Sequence, residues 1–374
     1  MGETEPKYQK VIDWIKENIE SGQFHTGDRL MSEAELSEMF NLSRQTIRRA
    51  TGELAGEGLV RRVRGSGTYI GGTGRAQRAP SHMTIAVVST FYESYIFPPT
   101  LKGIERVLSK AGYTMQVSFT DNRIAREADI LKTVLEKDSI DGMIVEPAKS
   151  ALPNPNIRLY REIQERGIPI IFFNTYYPGL DVPCVRIDDE AIGAKAAQLL
   201  IDAGHDRIAG IFKSDDGQGR ERYGGYLRTL LENGKSISDR QAIWIDTPDY
   251  RDLASIEDYL FARLGESTGV VCYNDEVAYQ IIDLALKRGL RVPEDLSVVG
   301  IDDSDLAGIS RVPFTSFPHP KDQLGRKVAE NLIRMIEDPC FDSGYLFDSE
   351  PVIRASVCKP HNAEDTDAVR AGAV

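Results

Sequence analysis

The chain has 374 residues, of which 41% are hydrophobic and 27% charged, so it is long enough for about two or three domains with full cores. This composition excludes a mostly disordered, collagenous or coiled-coil chain. No apolar run approaches the ~18 residues that span a bilayer, and the polar N-terminus lacks a signal-peptide pattern, so we expect a cytoplasmic protein with no membrane partner. The cysteines and histidines are scattered without ligand spacing, so we expect no metal and no cofactor.

The formal net charge of −12 hides a basic segment near the N-terminus. Residues 1–80 carry 12 basic and 11 acidic side chains, so the acidic excess lies in the rest of the chain. Residues 43–80 contain eight arginines, and their only acids are Glu53 and Glu57. A short arginine-rich segment is therefore attached to an acidic body, and nucleic acid remains a candidate partner.

Three helices and a hairpin are predicted before residue 71. Apolar residues at helical spacing over 8–19 indicate the first helix, and a Ser-x-x-Glu capping box at 32–35 begins a short second one. Ser43 can cap a third helix that runs to Gly58. Alternating residues over 59–70 then predict a hairpin. This is the element order of a winged helix-turn-helix, which we assign to residues 1–71.

A glycine-rich flexible linker is predicted at 72–83, and residues 360–374 are expected to be a disordered tail. Between them, over 84–359, strand-like apolar runs alternate with amphipathic helices, which indicates an α/β class with parallel sheets. The length of this part suits two lobes with a cleft between them. The predicted strands are 84–89, 114–119, 142–145, 169–173, 207–212, 242–245, 269–273 and 296–301.

The third predicted helix has an apolar face and a polar face at about 100° per residue. The polar face carries arginines suited to guanine O6 and N7 and a glutamine suited to adenine, and its N-terminal hydroxyls lie where a phosphate would bind. The narrow, glycine-tipped hairpin can lie against the minor groove. A solvated arginine-bearing helix is the alternative, but the element order and the acid-poor segment favour DNA. The candidate contacts are Ser43, Arg44, Gln45, Thr46, Arg48, Arg64, Gly65, Ser66 and Gly67.

Residues 27–36 (GDRLMSEAEL), 42–50 (LSRQTIRRA) and 65–69 (GSGTY) resemble the GntR-family DNA-binding domain, and this resemblance covers residues 6–71. Many members carry proline and arginine where this chain has Met31 and Ala34. The departure suggests that the second helix uses Glu33, whose carboxylate can accept from a cytosine amine.

The segments 103–105 (GIE), 141–145 (DGMIV), 204–209 (GHDRIA) and 298–303 (VVGIDD) resemble the LacI/GalR sugar-sensing fold, which is similar to periplasmic sugar-binding proteins. The pairing with a GntR-type reader resembles the arabinose-repressor family, and the segments 146–152, 212–216, 272–276 and 319–321 strengthen that match. The resemblance implies a homodimer that binds operator DNA and a sugar effector, L-arabinose. By this resemblance the effector contacts are Glu146, Asn174, Arg222, Asn274 and Asp302, with Lys213 and His319 as further candidates.

Sugar chemistry gives an independent reason for a pocket at the strand ends. The vicinal hydroxyls of a monosaccharide match carboxylate, amide and guanidinium groups, and its C–H faces stack on aromatic rings. Parallel sheets bind ligands at the carboxyl ends of their strands. Polar residues just past predicted strands include Thr90 and Tyr95 in addition to those named above, while Tyr92 and Phe97 fit either core or stacking.

Each candidate also has an ordinary structural interpretation. Asn274 can cap the following helix, Asp302 can lie in a turn, Glu146 can belong to a simple loop, and Arg222 can form a surface ion pair. Together, however, so many polar groups at strand ends favour a pocket.

The sequence favours a non-enzymatic, sugar-responsive repressor over two alternatives. A sugar- or nucleotide-processing enzyme would need carboxylates that flank a substrate, and adjacent acids such as Asp215 and Asp216 do not. No P-loop or nucleophile elbow supports another chemistry. A purely architectural DNA-binding protein would leave the acidic two-lobed body without a role. The sequence leaves open which monosaccharide binds and whether it releases or strengthens DNA binding.

Overall fold

The computed structural model of the chain describes residues 8–25, 27–63, 67–71, 82–338 and 341–360. Three expectations therefore fall wholly or largely outside the described residues. They concern the hairpin tip at Arg64, Gly65 and Ser66, nearly all of the linker, and the tail beyond residue 360. Among the residues that are described, no helix is both long and apolar enough to cross a membrane.

The N-terminal part folds as three helices and a two-stranded antiparallel hairpin, as predicted. Its core is formed by apolar side chains from all three helices and both strands. The third helix ends two residues earlier than predicted, because Gly58 adopts a left-handed conformation with φ of 74° that turns the chain toward the hairpin. The elements are α1 (Gln9–Glu20), α2 (Glu33–Phe40), α3 (Arg44–Gly56), β1 (Val60–Val63) and β2 (Gly67–Ile70).

The remaining elements alternate between strand and helix along most of the chain. The strands are β3 (Thr84–Ser89), β4 (Thr114–Phe119), β5 (Gly142–Val145), β6 (Ile170–Phe173), β7 (Cys184–Ile187), β8 (Ile208–Lys213), β9 (Ala242–Ile245), β10 (Gly269–Cys272), β11 (Ser297–Asp302), β12 (Thr315–Pro318) and β13 (Tyr345–Phe347). The helices are α4 (Phe97–Lys110), α5 (Ile124–Lys137), α6 (Ile157–Glu165), α7 (Asp189–Asp202), α8 (Gly217–Glu232), α9 (Thr247–Arg251), α10 (Glu257–Leu264), α11 (Asp275–Lys287), α12 (Asp305–Ile309) and α13 (Lys321–Glu337).

Two parallel sheets divide these elements into two lobes. The sheet of the first lobe has the order β13-β7-β6-β5-β3-β4, and the sheet of the second has the order β12-β11-β10-β8-β9. Strands such as β5, β6, β8 and β10 are buried along their whole length, because apolar clusters cover both faces of each sheet. The predicted α/β class with parallel sheets is confirmed.

The chain crosses between the lobes after β7, after β12 and after β13. The eight predicted strands are all present, each within one residue at either end. The three strands beside the crossings were not predicted. In β7 and β12 polar or proline residues interrupt the apolar sequence, and β12 and β13 are edge strands, so these strands lack the continuous apolar runs of the central strands.

Candidate DNA-binding surface and effector cleft

The N-terminus of α3 presents the predicted polar residues toward solvent. Ser43 caps the helix, since its Oγ accepts from the backbone N–H of Thr46 at 3.2 Å and lies 2.9 Å from the Thr46 hydroxyl. Arg44 and Gln45 are exposed in the first turn. The end of α3 that carries the positive helix dipole is therefore open to a phosphate.

Two of the predicted base contacts, Glu33 and Arg48, are paired with each other across α2 and α3. Arg48 Nε donates to Glu33 Oε1 at 3.2 Å, and its Nη2 donates to Oε2 at 2.9 Å. This forked contact raises the pKa of Arg48 and holds its guanidinium in one orientation. Direct recognition of a cytosine amine by Glu33 would require the pair to rearrange.

Arg49, which the sequence places on the same polar face, packs within the domain instead. Its guanidinium lies 4.2 Å from the centre of the Tyr8 ring, and its Nε donates to Glu53 at 3.3 Å. The helical wheel could not reveal this role, because the contact with Tyr8 joins α3 to the start of α1 across 41 positions.

Gly67 is the one member of the predicted hairpin-tip set that is described. Its φ is 133°, a conformation that favours glycine, and an added Cβ would lie 3.0 Å from Arg29 Nε. The backbone of Arg29 also forms a β-bridge with Tyr69. The structure thus places Arg29, a basic residue that the sequence analysis did not select, at the base of the hairpin.

A concave site lies between the two lobes, at the carboxyl ends of their strands, and contains about 650 Å³ of empty space including its mouth. Of the nine predicted effector contacts, Tyr95 and His319 lie one layer behind the cleft wall rather than in it. The other seven line the cleft: Thr90, Glu146, Asn174, Lys213, Arg222, Asn274 and Asp302.

The first lobe contributes a buried carboxylate, Glu146, held by three donors. Its Oε2 accepts from the backbone N–H of Thr90 at 3.0 Å and from the Thr90 hydroxyl, while its Oε1 accepts from Asn174 Nδ2 at 2.8 Å. Burial raises the pKa of Glu146, and these hydrogen bonds oppose the shift. Glu146 follows β5 and is thus fixed in orientation by residues that follow β3 and β6, the two strands that flank β5 in the sheet.

His319 completes this network from the crossing after β12. Asn174 Nδ2 donates to Glu146, so its Oδ1 is the acceptor that faces His319 Nε2 at 3.2 Å. His319 therefore donates through Nε2. Burial, Lys321 and Arg222 lower the pKa of His319 to about 3, so the ring is neutral and Nδ1 is an acceptor, one without a hydrogen bond among the described residues.

The second lobe contributes Arg222, which is 1% exposed. Its Nε donates to Asp189 Oδ1 at 2.7 Å, its Nη1 donates to the carbonyl of Tyr273, and the guanidinium lies 4.9 Å from the centre of the Tyr273 ring. Burial raises the pKa of Asp189 to about 7 although Arg222 opposes the shift. Arg222 is therefore not the surface ion pair that the sequence left open.

Asp302 joins the lobes and faces the cleft. Tyr95, from the first lobe, donates its hydroxyl to Asp302 Oδ2 at 2.7 Å. Among the described residues no donor makes a hydrogen bond with the buried Oδ1: Arg222 Nη2 lies 4.0 Å from it, and the nearby Asn274 amide acts to lower the pKa of Asp302. Burial raises the pKa of Asp302. Because a buried carboxylate oxygen is costly without a donor, Oδ1 is suited to accept from a ligand hydroxyl.

Asn274 and Lys213 line the second lobe's side of the cleft. Asn274 Oδ1 caps α11 by accepting from Val277 N–H at 3.1 Å, so the capping role and the cleft position coexist, and its Nδ2 donates to the Tyr250 hydroxyl at 2.9 Å. Lys213 Nζ lies 3.0 Å from Asp215 and 3.1 Å from Asp216.

Both cations of the cleft wall are thus balanced by carboxylates from the protein: Lys213 by two aspartates, and Arg222 by Asp189 and Asp302. A phosphate or a nucleotide would have to compete with these carboxylates, whereas hydroxyls can share them. The wall therefore favours a neutral polyol over an anion.

Several cleft residues were missed by the sequence analysis. Phe91 and Tyr250 line the cleft along with Tyr273, whose ring centre is 6.1 Å from that of Tyr250. Phe97, which the sequence left between core and stacking, also lines it, whereas Tyr92 is exposed. Only the position of Tyr273 directly after β10 offered a signal. Tyr250 lies in the short helix α9, whose placement depends on the tertiary fold.

Behind the cleft, Asp275 is a buried carboxyl whose protonation is coupled to folding. Its carboxyl accepts from the backbone and hydroxyl of Ser304 at 2.6 and 2.9 Å and from Ser316 at 2.5 Å. Burial and the nearby Asp302 raise the pKa of Asp275 to about 7. A carboxyl whose pKa is raised by folding contributes stability at low pH that is lost as the pH rises through its folded pKa.

We expect Asp275→Asn to change the pH dependence of unfolding between about pH 4 and 7. In this pH range the folded wild type keeps the Asp275 proton and the unfolded chain loses it. Each rise of one pH unit therefore lowers the free energy of unfolding by up to about 1.4 kcal/mol, and the variant lacks this contribution. Urea unfolding at a series of pH values measures it, with the exposed Asp305→Asn as the control. Parallel pH profiles for wild type and Asp275→Asn would contradict the assignment.

Comparisons with known proteins agree with this architecture. Residues 7–70 match the model for "Bacterial regulatory proteins, gntR family", and residues 196–357 match a "Periplasmic binding protein-like domain". An arabinose metabolism transcriptional repressor from Halalkalibacterium halodurans is 37% identical over 342 residues, covering 89% of this chain and 90% of the relative. The chain belongs to the arabinose-repressor family. A second member, from Geobacillus stearothermophilus, is 34% identical and covers 94% of this chain and 98% of its own.

Solved structures of transcriptional regulators have the same fold. The "transcriptional regulator CelR-cellobiose complex" has a TM-score of 0.65 and 25% identity, covering 84% of this chain and 90% of that one. The transcription regulator CcpA of Lactococcus lactis, at 23% identity, shares the fold with a TM-score of 0.66 and covers 73% of this chain and 98% of that one. Membership of a family of transcriptional repressors confirms the predicted regulator and argues against the enzyme alternative.

Proposed function

We propose that this chain represses transcription by binding operator DNA through α3 and the hairpin, and that L-arabinose in the cleft releases the DNA. The observation that carries the proposal is the convergence of buried polar groups from both lobes on one cleft. Glu146 and Asn174 approach from the first lobe and Arg222 and Asp302 from the second, and Asp302 Oδ1 lacks a donor among the described residues. A ligand with several hydroxyls satisfies such groups.

The choice of sugar rests on the relatives together with the charge of the cleft. Both similar repressors are named for arabinose metabolism. The wall has no cation that is not already faced by a carboxylate among the described residues, which favours a neutral sugar over a sugar phosphate. The aromatic rings of Phe91, Tyr250 and Tyr273 offer faces for the apolar side of a pentose.

We further propose a cytoplasmic homodimer in which residues 1–71 read DNA and residues 84–359 bind the effector and hold the dimer together, with 72–83 as the linker. A dimer places two small DNA-binding domains on an operator with two-fold symmetry. A sugar that binds one arrangement of the lobes more tightly shifts the population toward that arrangement. The shift changes the distance between the two DNA-binding domains of the dimer. Sedimentation or light scattering tests the dimer.

A thermal-shift screen of monosaccharides tests the effector. A ligand that binds only the folded protein stabilises it by about 2.7 kcal/mol at 100 times its Kd. We expect L-arabinose to raise the Tm and arabinose 5-phosphate to leave it unchanged. A larger shift with the phosphate would overturn the account of the cleft's charge, and no shift with any pentose would overturn the sugar assignment.

The DNA-binding surface is tested by Arg48→Ala. Its loss removes a guanidinium that the pair with Glu33 holds in place, so we expect specific binding to weaken by about 1–3 kcal/mol with relaxed preference at one base pair of each half-site. Fluorescence anisotropy on specific and random duplexes measures the change, with the exposed Lys10→Ala as control. Equal losses on both duplexes would reassign Arg48 to a phosphate contact.

A further inference from the structure

Glu127, in the first turn of α5, is a fully buried carboxylate that does not line the cleft. Donor groups surround it: the hydroxyls of Tyr160 and Tyr177, the side-chain amides of Asn154 and Asn156, and the backbone N–H of Ala148, at 2.8, 2.7, 2.8, 2.9 and 3.2 Å. The Tyr177 hydroxyl also lies 2.6 Å from the carbonyl of Ala148, so its one proton is shared between the two acceptors. The two oxygens of a carboxylate offer about four acceptor sites, twice as many as the single oxygen of an amide.

Three of these donors belong to one connection, the 146–156 loop between β5 and α6. Ala148 contacts Glu127 near the beginning of the loop, and Asn154 and Asn156 contact it near the end. Asn156 also donates to the carbonyl of Ile124 at 2.8 Å, which ties the end of the loop to the start of α5. Glu127 therefore anchors both ends of the loop to one helix.

The residues between the anchors contact the second lobe. Lys149 Nζ lies 3.3 Å from Asp215, the hydroxyl of Ser150 accepts from Gly217 N–H at 2.8 Å, and the carbonyl of Ala151 accepts from Arg220 at 2.6 Å. Gly217 and Arg220 belong to α8, the helix that also carries Arg222. Glu146, at the start of the loop, lines the effector cleft.

We propose that Glu127 is a positioning residue for the effector response: by anchoring the 146–156 loop, it sets Glu146 toward the ligand and aligns the loop with α8 across the cleft. The inference rests on the proposed function for the identity of the effector, although the anchoring itself does not. Glu127 acts through the loop and does not contact the ligand.

Glu127→Gln is the test, because it keeps the side-chain volume and leaves a single acceptor oxygen for the donors that surround it. We expect about tenfold weaker L-arabinose binding by calorimetry, with operator affinity in the absence of sugar unchanged. Glu136→Gln, an exposed change on the same helix, is the control. Tyr177→Phe removes one donor and keeps the ring contacts with Tyr160 and Phe172, so it should act in the same direction by about threefold.

Hydrogen exchange separates this proposal from the sugar assignment. Without ligand, Glu127→Gln should speed amide exchange in the 146–156 loop and leave the strands of both sheets protected. Unchanged loop exchange would overturn the positioning role whatever the effector is. If Glu127→Gln speeds exchange in the loop but the wild type does not bind arabinose, only the sugar assignment is overturned.

A double-mutant cycle with Ser150→Ala distinguishes action through the loop from general destabilisation. If Glu127 acts by holding Ser150 against α8, the sugar affinity of the double variant should equal that of whichever single variant binds sugar more weakly. Fully additive losses in sugar affinity would contradict the proposal. Where Glu127→Gln lowers the yield of folded protein, the same cycle is made with Tyr177→Phe.

Discussion

Replacing Arg222 with alanine is expected to lower the free energy of unfolding by about 3–5 kcal/mol, because the change leaves Asp189 buried without its cation. Asp189 is 1% exposed, and of its two oxygens only Oδ1 has a hydrogen bond among the described residues, the one from Arg222. The variant also loses the contact with the Tyr273 carbonyl and ring, so sugar affinity and stability should fall together.

Urea unfolding measures this loss, and the same helix supplies the control. Arg228 also lies on α8 and pairs with Glu190 on α7, but its side chain is 52% exposed, so Arg228→Ala should cost less than about 1 kcal/mol. Removing both charges in Arg222→Ala/Asp189→Ala should restore part of the loss. Similar losses in the free energy of unfolding for Arg222→Ala and Arg228→Ala would contradict the role of Arg222 in a buried ion pair.

Asp302→Ala is expected to weaken L-arabinose binding by about tenfold or more and to preserve operator affinity without sugar. Hydrogen bonds to a charged acceptor are typically worth about 1.5–3 kcal/mol, and the variant removes a carboxylate of the cleft lining whose Oδ1 has no hydrogen bond among the described residues. It also removes the bond from Tyr95 that joins the lobes. The product should be a repressor that no longer responds to sugar.

Two controls isolate the carboxylate of Asp302. The exposed Asp305→Ala should release DNA at the wild-type sugar concentration. Asp302 has a φ of 113°, so Asp302→Asn, which tolerates such a backbone better than alanine, separates the loss of charge from backbone strain. If Asp302→Ala releases DNA at the same sugar concentration as the wild type, Asp302 does not contact the effector. If the variant no longer binds the operator in the absence of sugar, the role of Asp302 is structural.

Arg222 has a structural role in addition to the effector contact that the sequence predicts. The structure adds Asp189, 33 positions away, as a buried partner that the ligand role does not require. Asp302 therefore provides the cleaner test of effector sensing.

The sequence predicted the elements whose signals are local. Central strands such as β5 and β8 are continuous apolar runs, and the caps at Ser32 and Ser43 follow from spacing within a single turn. The short strand β13 lacked such a signal, because its pairing with β7 is set by the crossing between lobes.

The same distinction holds within the candidate site. Glu146 and Asn174 directly follow strands, so their convergence could be predicted. The pairing of Glu33 with Arg48 and the anchoring role of Glu127 could not, because each depends on side chains that tertiary packing brings together from separate elements.

The most direct test of the account is a sugar titration of the preformed complex between the full chain and a duplex that the chain selects from a random pool. L-arabinose should release the duplex, as followed by fluorescence anisotropy, at a concentration at least about tenfold below that of its enantiomer D-arabinose, since the two differ only in hydroxyl geometry. Asp302→Ala should shift the L-arabinose curve to higher concentration. Tight operator binding that neither enantiomer changes, or that both change equally, would contradict the account.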